Sequence, residues 1–143
     1  MLQDHGGYVS TDHLAALAKE VGLSQSEVYE VATFYAHFGV VREGEDPPPK
    51  ITIRVCDSVT CAMFGADELR ARLESQSYGD VRIVRSPCMG RCDSAPTAQV
   101  ARRYVDNANV SSIERILEEG TLTADVPNYT AFEDYENDGG YTL

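Results

Sequence analysis

The chain of 143 residues has no apolar run that reaches the ~20 residues a membrane-spanning helix requires, and it has no cysteine outside two short clusters. It also has little positive charge. Its 12 Lys and Arg stand against 23 Asp and Glu, and the net charge of −11 repels phosphate backbones and acidic lipids, which argues against nucleic acid as a partner. Neither a G-x-G-x-x-G fingerprint nor a P-loop occurs, so the chain brings no nucleotide-phosphate cradle of its own. The opening Met-Leu-Gln-Asp-His-Gly-Gly has neither the basic nor the apolar region of a secretory leader. The expected compartment is therefore the reducing cytoplasm, where stable disulfides do not persist. The three histidines, His5, His13 and His37, are scattered without neighbouring ligands and receive no chemistry.

The four cysteines form Cys56-x4-Cys61 and Cys88-x3-Cys92. Each local pair can clamp one metal ion, and a fold that joins the two pairs supplies the four thiolates of a two-iron centre. Two ferric ions, two sulfides and four thiolates sum to a charge of minus two, with a tetrahedral sulfur shell on each iron. A cubane centre is usually drawn from a tight C-x2-C-x2-C run, which is absent. Structural zinc tolerates the same spacings, so spacing alone leaves both metals open.

The rest of the chain divides by period. Leu14, Leu17, Ala18 and Val21 mark a helix that Ser10 can cap and Gly22 can end. Ser24 and Glu27 form a capping box for a second helix with Val28, Val31, Ala32 and Tyr35 on one stripe, flanked by Phe34 and Phe38. The acidic, proline-rich residues 43–50 separate this helical portion, 1–42, from the remainder of the chain. From Ile51 the period becomes two, predicting a half-buried strand with Ile51, Ile53 and Val55 on one face and Thr52, Arg54 and Cys56 on the other. A helix with Ala66, Leu69 and Leu73, a strand with Val81, Ile83 and Val84, and a hairpin over Thr97–Val100 and Tyr104–Val105 come next. A last helix carries Ile113, Ile116 and Leu117 behind a Ser111–Glu114 capping box. Residues 51–122 thus predict an α/β domain of thioredoxin-like outline, followed by an extension over 123–143.

Three segments carry a resemblance. Val28-Tyr-Glu-Val-Ala-Thr-Phe-Tyr35, Ile53-Arg-Val-Cys56 with Cys61, and Cys88-Met-Gly-Arg-Cys92 with Ala95-Pro96 and Val100 resemble the 24 kDa-type subunit of the complex I family. The resemblance runs from Gly7 to about Leu117. It implies a small helical portion on a thioredoxin-like [2Fe–2S] ferredoxin domain, with Cys56, Cys61, Cys88 and Cys92 as the cluster ligands, and so favours iron–sulfur over zinc. The family usually begins with a longer first helix, so a leading piece is expected ahead of this opening. The stretch from Cys56 to Leu69, preceded by Thr33-Phe-Tyr-Ala-His-Phe38, is also similar to the β subunits of soluble NAD-dependent formate dehydrogenases.

These resemblances set the functional expectations. The chain is expected to be an electron-transfer [2Fe–2S] unit of such a formate dehydrogenase, beside a flavoprotein that binds FMN and NADH and a molybdenum or tungsten catalytic subunit. The alternatives are the equivalent subunit of NADH-quinone oxidoreductase or of an NAD-reducing hydrogenase and, in another class, a zinc-stabilised binding module. The tail Val126-Pro-Asn-Tyr-Thr-Ala-Phe-Glu-Asp-Tyr135 resembles the start of the flavoprotein and is expected to lead into it or dock on it. No substrate-converting site is expected here. Ser58, Thr60, Gly65 and Gly90 are candidate donors to the sulfurs, and Arg54, Arg85 and Arg91 are candidates to offset the cluster's charge.

Overall fold

The computed structural model describes Gln3 and residues 7–142; His5, the rest of the opening segment before Gly7, and Leu143 lie outside the described residues. The chain begins with a two-residue strand, β1 (Val9–Ser10), and a pair of helices, α1 (Thr11–Val21) and α2 (Gln25–Phe34). The local signals decide the helix ends. Ser10 Oγ accepts from His13 N at 3.2 Å and His13 Nδ1 accepts from Ser10 N at 3.3 Å, so His13 completes a capping box. Gly22 ends α1 with φ of 72°. Ser24 and Glu27 cap α2 reciprocally, and the Ser24 hydrogen bonds hold the Glu27 carboxyl below its usual range. A second short strand, β2 (Val40–Val41), pairs in parallel with β1 and ties the exit of the helical hairpin to its entrance.

The apolar stripes of these helices are only partly covered. Leu14 and Ala18 meet Val28 and Ala32 along the seam, whereas Leu17, Val21, Val31, Phe34, Tyr35 and Phe38 stay exposed. A two-helix hairpin buries one seam, and no third layer closes over the rest among the described residues. Phe34, Tyr35 and Phe38 instead meet one another edge to face.

The second part is a four-stranded sheet in the order β4-β3-β5-β6, built from β3 (Ile51–Cys56), β4 (Val81–Ser86), β5 (Ala98–Val100) and β6 (Arg103–Val105). β3 runs parallel to β4 and antiparallel to β5, and β5 and β6 form the expected hairpin. Helices α3 (Val59–Met63) and α4 (Ala66–Glu74) follow β3, and α5 (Val110–Glu119) follows β6. Leu69 and Leu73 of α4 and Ile113 and Ile116 of α5 pack on Ile53, Val55 and Val100 to form the core. α4 and α5 thus supply the helical layer of an α/β domain. From residue 120 the chain crosses back, with Arg102 N donating to Leu122 O and Arg103 paired to Asp125 at 3.2 Å, before a short helix α6 (Phe132–Asn137).

Two expectations need correction. β3 is buried on both faces rather than half-buried, because the chain after α2 lies over its second face and Arg54 donates to the carbonyls of Ala36 and His37. The capping box of α5 is formed by Asn109 and Ser112, not by Ser111 and Glu114. Both patterns are locally acceptable. The helix starts two residues earlier because Val110 packs against the core and Ala108 is buried and anchored, its N–H donating to Pro96 O at 2.6 Å.

Candidate metal centre

Parallel pairing of β3 with β4 decides where the cysteines go. Cys56 is opposite Ser86 in the register, so the loops that leave these two strands start at the same edge of the sheet. Asp57 N donates to Ser86 O at 3.0 Å and Cys56 N donates to Thr97 O at 3.1 Å, extending the ladder to the point where the chain turns away. Cys56 ends β3, Cys61 lies in α3, Cys88 follows β4, and Cys92 opens a single 3-10 turn, Cys92–Ser94. Two pairs separated by a long stretch of sequence thereby meet.

The contacts link all four thiols. Cys88 Sγ and Cys92 Sγ are 3.5 Å apart, close to the ~3.8 Å that two sulfurs take at ~2.3 Å bonds on a tetrahedral ion. Ser58 and Cys61 act on the Cys56 thiol, and Ser58 acts on the Cys88 thiol as well, so Ser58 influences both pairs. A mononuclear zinc site needs three or four ligands about one point. Local pairing of the thiols suits one iron per pair, as a two-iron centre requires.

The electrostatics favour ionisation at two of the cysteines. Burial pushes the Cys56 thiol up, but hydrogen bonds from Ser58, from the Cys61 thiol and from the Met89 N–H outweigh it and hold Cys56 below its ordinary value. The Gly90 N–H, 3.4 Å from Cys88 Sγ, and the Cys92 thiol lower Cys88. Cys92 moves up, chiefly through its hydrogen bond to Cys88 and the charge of Cys88. The two thiols influence each other's titration, and metal binding requires both to lose their protons.

The expected neighbours separate into two groups. Ser58 and Gly90 lie against the sulfurs as donors. Thr60 and Gly65 serve the helices instead: the Thr60 carbonyl accepts from Phe64 N, and Gly65, with φ of 87°, turns the chain between α3 and α4. Arg54 is engaged at the Ala36 and His37 carbonyls, Arg91 forms a forked pair with Asp106 and lies 5.3 Å from the Tyr104 ring centroid, and Arg85 is exposed on β4. Among the described residues none of the three has a sulfur as a hydrogen-bond partner.

Sequence reasoning missed Thr97. It is 1% exposed, its Oγ1 is 3.5 Å from Cys61 Sγ, and its carbonyl receives the Cys56 N–H, so one residue steadies both cysteines of the first pair. It follows Pro96, whose bond to Ala95 is cis. No local pattern announces it, because its partners lie 36 and 41 residues away.

A sheet of this order, with helices α4 and α5 on one face and two cysteine pairs near the ends of β3 and β4, has a thioredoxin-like outline with a candidate metal centre. The chain belongs to the thioredoxin-like [2Fe–2S] ferredoxin family, whose model matches residues 1–121. It is similar to an NADH-quinone oxidoreductase subunit of Rhizobium meliloti (strain 1021), 27% identical over 125 residues that cover 81% of this chain and 71% of that protein. NADH-quinone oxidoreductase subunit 2 of Thermus thermophilus is 28% identical over 126 residues, covering 81% and 67%. Among solved structures, an NAD+-reducing [NiFe]-hydrogenase in the H2-reduced state superposes with a TM-score of 0.57 at 23% identity over 82% of this chain. That match spans 20% of the hydrogenase chain and shows a shared fold. The four thiols present suit the group for which the family is named. Among the described residues no helix is long and apolar enough to cross a membrane.

Proposed function

We propose that this chain is the electron-transfer [2Fe–2S] unit of an NADH-linked redox assembly of the complex I or NAD-reducing hydrogenase kind, with Cys56, Cys61, Cys88 and Cys92 as ligands. The observation that carries the reading is the meeting of the two cysteine pairs at the edge shared by parallel β3 and β4. In this reading residues 51–122 are the cluster domain, 1–42 a helical portion joined through 43–50, and 123–143 the lead into or dock on the flavoprotein. The assembly works in the cytoplasm.

When bound, the cluster supplies one-electron capacity beside a flavin that exchanges electron pairs with nicotinamide, and the FMN and NADH sites belong to the flavoprotein. The chain's own residues bind and tune. The N–H groups of Gly90 and Met89 and the hydroxyls of Ser58 and Thr97 lie near the sulfurs and would donate to them as metal-bound thiolates, which favours the more negative state. Burial of Cys56 and Cys61 keeps water from the first pair, while exposed Cys88 and Cys92 leave the second open to a partner. The tail supports a docking role, because Tyr129, Phe132, Tyr135 and Tyr141 are exposed beside acidic side chains. The similar proteins carry quinone- and hydrogen-linked names, and the formate dehydrogenase reading rests on the Cys56–Leu69 and Thr33–Phe38 segments alone.

Anaerobic isolation with metal and sulfide analysis tests the core of this reading. The expected result is two irons and two sulfides per chain and an S = 1/2 paramagnetic signal on reduction; zinc at full occupancy would overturn it. With the flavoprotein present, NADH should bleach the cluster and residues 125–142 should gain hydrogen-exchange protection. A tail unprotected in both samples, with no bleaching, would refute the partner. Co-purification with a molybdenum or tungsten subunit would favour the formate context over the other two.

A further inference from the structure

On the side of the sheet away from α4 and α5, the chain gathers positive charge against its overall sign. A cavity of about 120 Å³ there is lined by Lys50, Arg54, Arg82 and Arg102, with Thr52 and His37 beside them. Lys50, Arg54 and Arg82 share this hollow, in a molecule of net charge −11, with Arg102, which already has a partner of its own. Arg54 is 6% exposed and Arg82 half-buried, and both are held below the usual arginine range by burial. Arg54 is disfavoured further by the like charge of Arg82.

Among the described residues, the hydrogen bonds of Arg54 and Arg82 go to neutral acceptors. Arg54 Nε donates to Ala36 O at 3.2 Å and its NH2 group donates to His37 O at 3.1 Å, while Arg82 Nε donates to Thr52 Oγ1 at 2.8 Å. Among the described residues neither guanidinium has a carboxylate at ion-pair distance, although Arg70, Arg91, Arg103 and Arg115 all do. An uncompensated buried charge costs free energy, and two together cost more, unless an anion neutralises them. The hollow has room for one. A water needs about 10–15 Å³ of such space, so about 120 Å³ accepts a tetrahedral oxyanion with some of its hydration.

We propose that this hollow is a binding site for a phosphate-sized inorganic oxyanion, held by Arg82, Arg54 and Lys50. Each guanidinium keeps N–H groups beyond those used on Ala36, His37 and Thr52, and a tetrahedral anion can take them from two sides at once. The walls come from separate parts of the fold: Gln3, Gly7 and His37 on one side, β3, β4 and the β5–β6 turn on the other. Gln3 already ties its own wall together, donating to His37 O and accepting from Gly39 N, both at 3.0 Å. A bound anion therefore clamps the helical portion to the sheet. This site is independent of the cluster and of the partner reading.

The test is calorimetric titration of the full chain with inorganic phosphate, and separately with sulfate, against chloride at matched ionic strength. One saturable site per chain is expected for both oxyanions, with a rise in melting temperature that chloride does not reproduce. Arg82→Gln should weaken phosphate at least about tenfold, since one charge-assisted partner is lost. Arg54→Gln removes the bonds to Ala36 and His37 as well, and a failure of that variant to fold would leave Arg82→Gln to decide. Arg70→Gln, outside the hollow, should bind as the unaltered chain does. No saturable binding above the chloride control, or equal binding by the unaltered chain and Arg82→Gln, would overturn the proposal.

Discussion

Replacing Thr97 with valine removes one hydroxyl from beside the proposed ligand Cys61 while keeping the shape of the side chain. The Thr97 carbonyl still receives the Cys56 N–H, so the backbone frame of the site should persist. The hydroxyl lies 3.5 Å from Cys61 Sγ on a side chain that is 1% exposed. A hydrogen bond to a charged group is worth roughly 1.5–3 kcal/mol in total, but an added electron is spread over both irons and all the sulfurs. We take about 0.5–1 kcal/mol as the part that differs between the two redox states. At 59 mV for each ~1.4 kcal/mol in a one-electron couple, the reduction potential should fall by about 20–45 mV. The assay is a potentiometric titration followed by paramagnetic resonance, with iron and sulfide content measured on the same sample. Thr97→Ser keeps the hydroxyl and loses a methyl, so its potential should stay near that of the unaltered chain. A Thr97→Val protein with full cluster content and an unchanged or higher potential would refute the reasoning, and so would a Thr97→Ser shift equal to that of valine.

Two further predictions concern the frame around the site. Leu73 is fully buried between α4 and the sheet, so Leu73→Ala should destabilise the chain by about 2–5 kcal/mol in denaturant unfolding, and a loss under 1 kcal/mol would show that the core lies elsewhere. The Arg91 guanidinium holds the Asp106 carboxyl below its usual range, so this pair stabilises the fold above the unfolded aspartate value of about 3.9 and the contribution is lost as pH falls through the lower folded value. Because the two side chains are 42% and 39% exposed, the effect should be under about 1 kcal/mol. Asp106→Asn should remove that acid dependence in the metal-free chain, and an unchanged pH profile of unfolding would show that the pair is unimportant.

What the sequence could show was whatever a few neighbouring residues decide. The Ser10 and Ser24 caps, the glycine end at Gly22 and the β5–β6 hairpin follow from side chains within four positions of one another. The cysteine spacing was legible for the same reason, since each pair is local and only the joining of the pairs needs the fold. The burial of β3 was not legible, because the cover on its second face comes from the carbonyls of Ala36 and His37, 18 and 17 residues away from Arg54. Likewise the forked contact of Arg91 with Asp106 spans 15 residues and turns an apparent counter-charge for the cluster into a brace between the Cys88–Cys92 loop and the β6 turn. The stripe along α2 failed in the opposite sense. Periodicity reports an apolar face, but Val31, Phe34 and Tyr35 have no layer against them among the described residues.

The two cysteine pairs should differ in how they tolerate a smaller ligand atom. Serine at a ligand position supplies oxygen, whose bond to a metal is about 2.0–2.2 Å against about 2.3 Å for sulfur, so the chain must move inward by a few tenths of an ångström. Cys61 cannot readily do this. It is 1% exposed, lies within helix α3, and abuts the buried Thr97 side chain, so an inward shift would drag helix backbone through a packed core. Cys92 is exposed and opens a three-residue turn beside Gly90, a segment held by the surface pair of Arg91 and Asp106 rather than by core packing. Cys92→Ser should therefore keep most of its iron and a shifted spectrum, while Cys61→Ser should lose the cluster. Anaerobic iron content and visible absorption of the two variants, prepared side by side, check this directly. If Cys61→Ser retains as much cluster as Cys92→Ser, burial does not govern the tolerance, and the division into a rigid inner pair and a yielding outer pair must be given up.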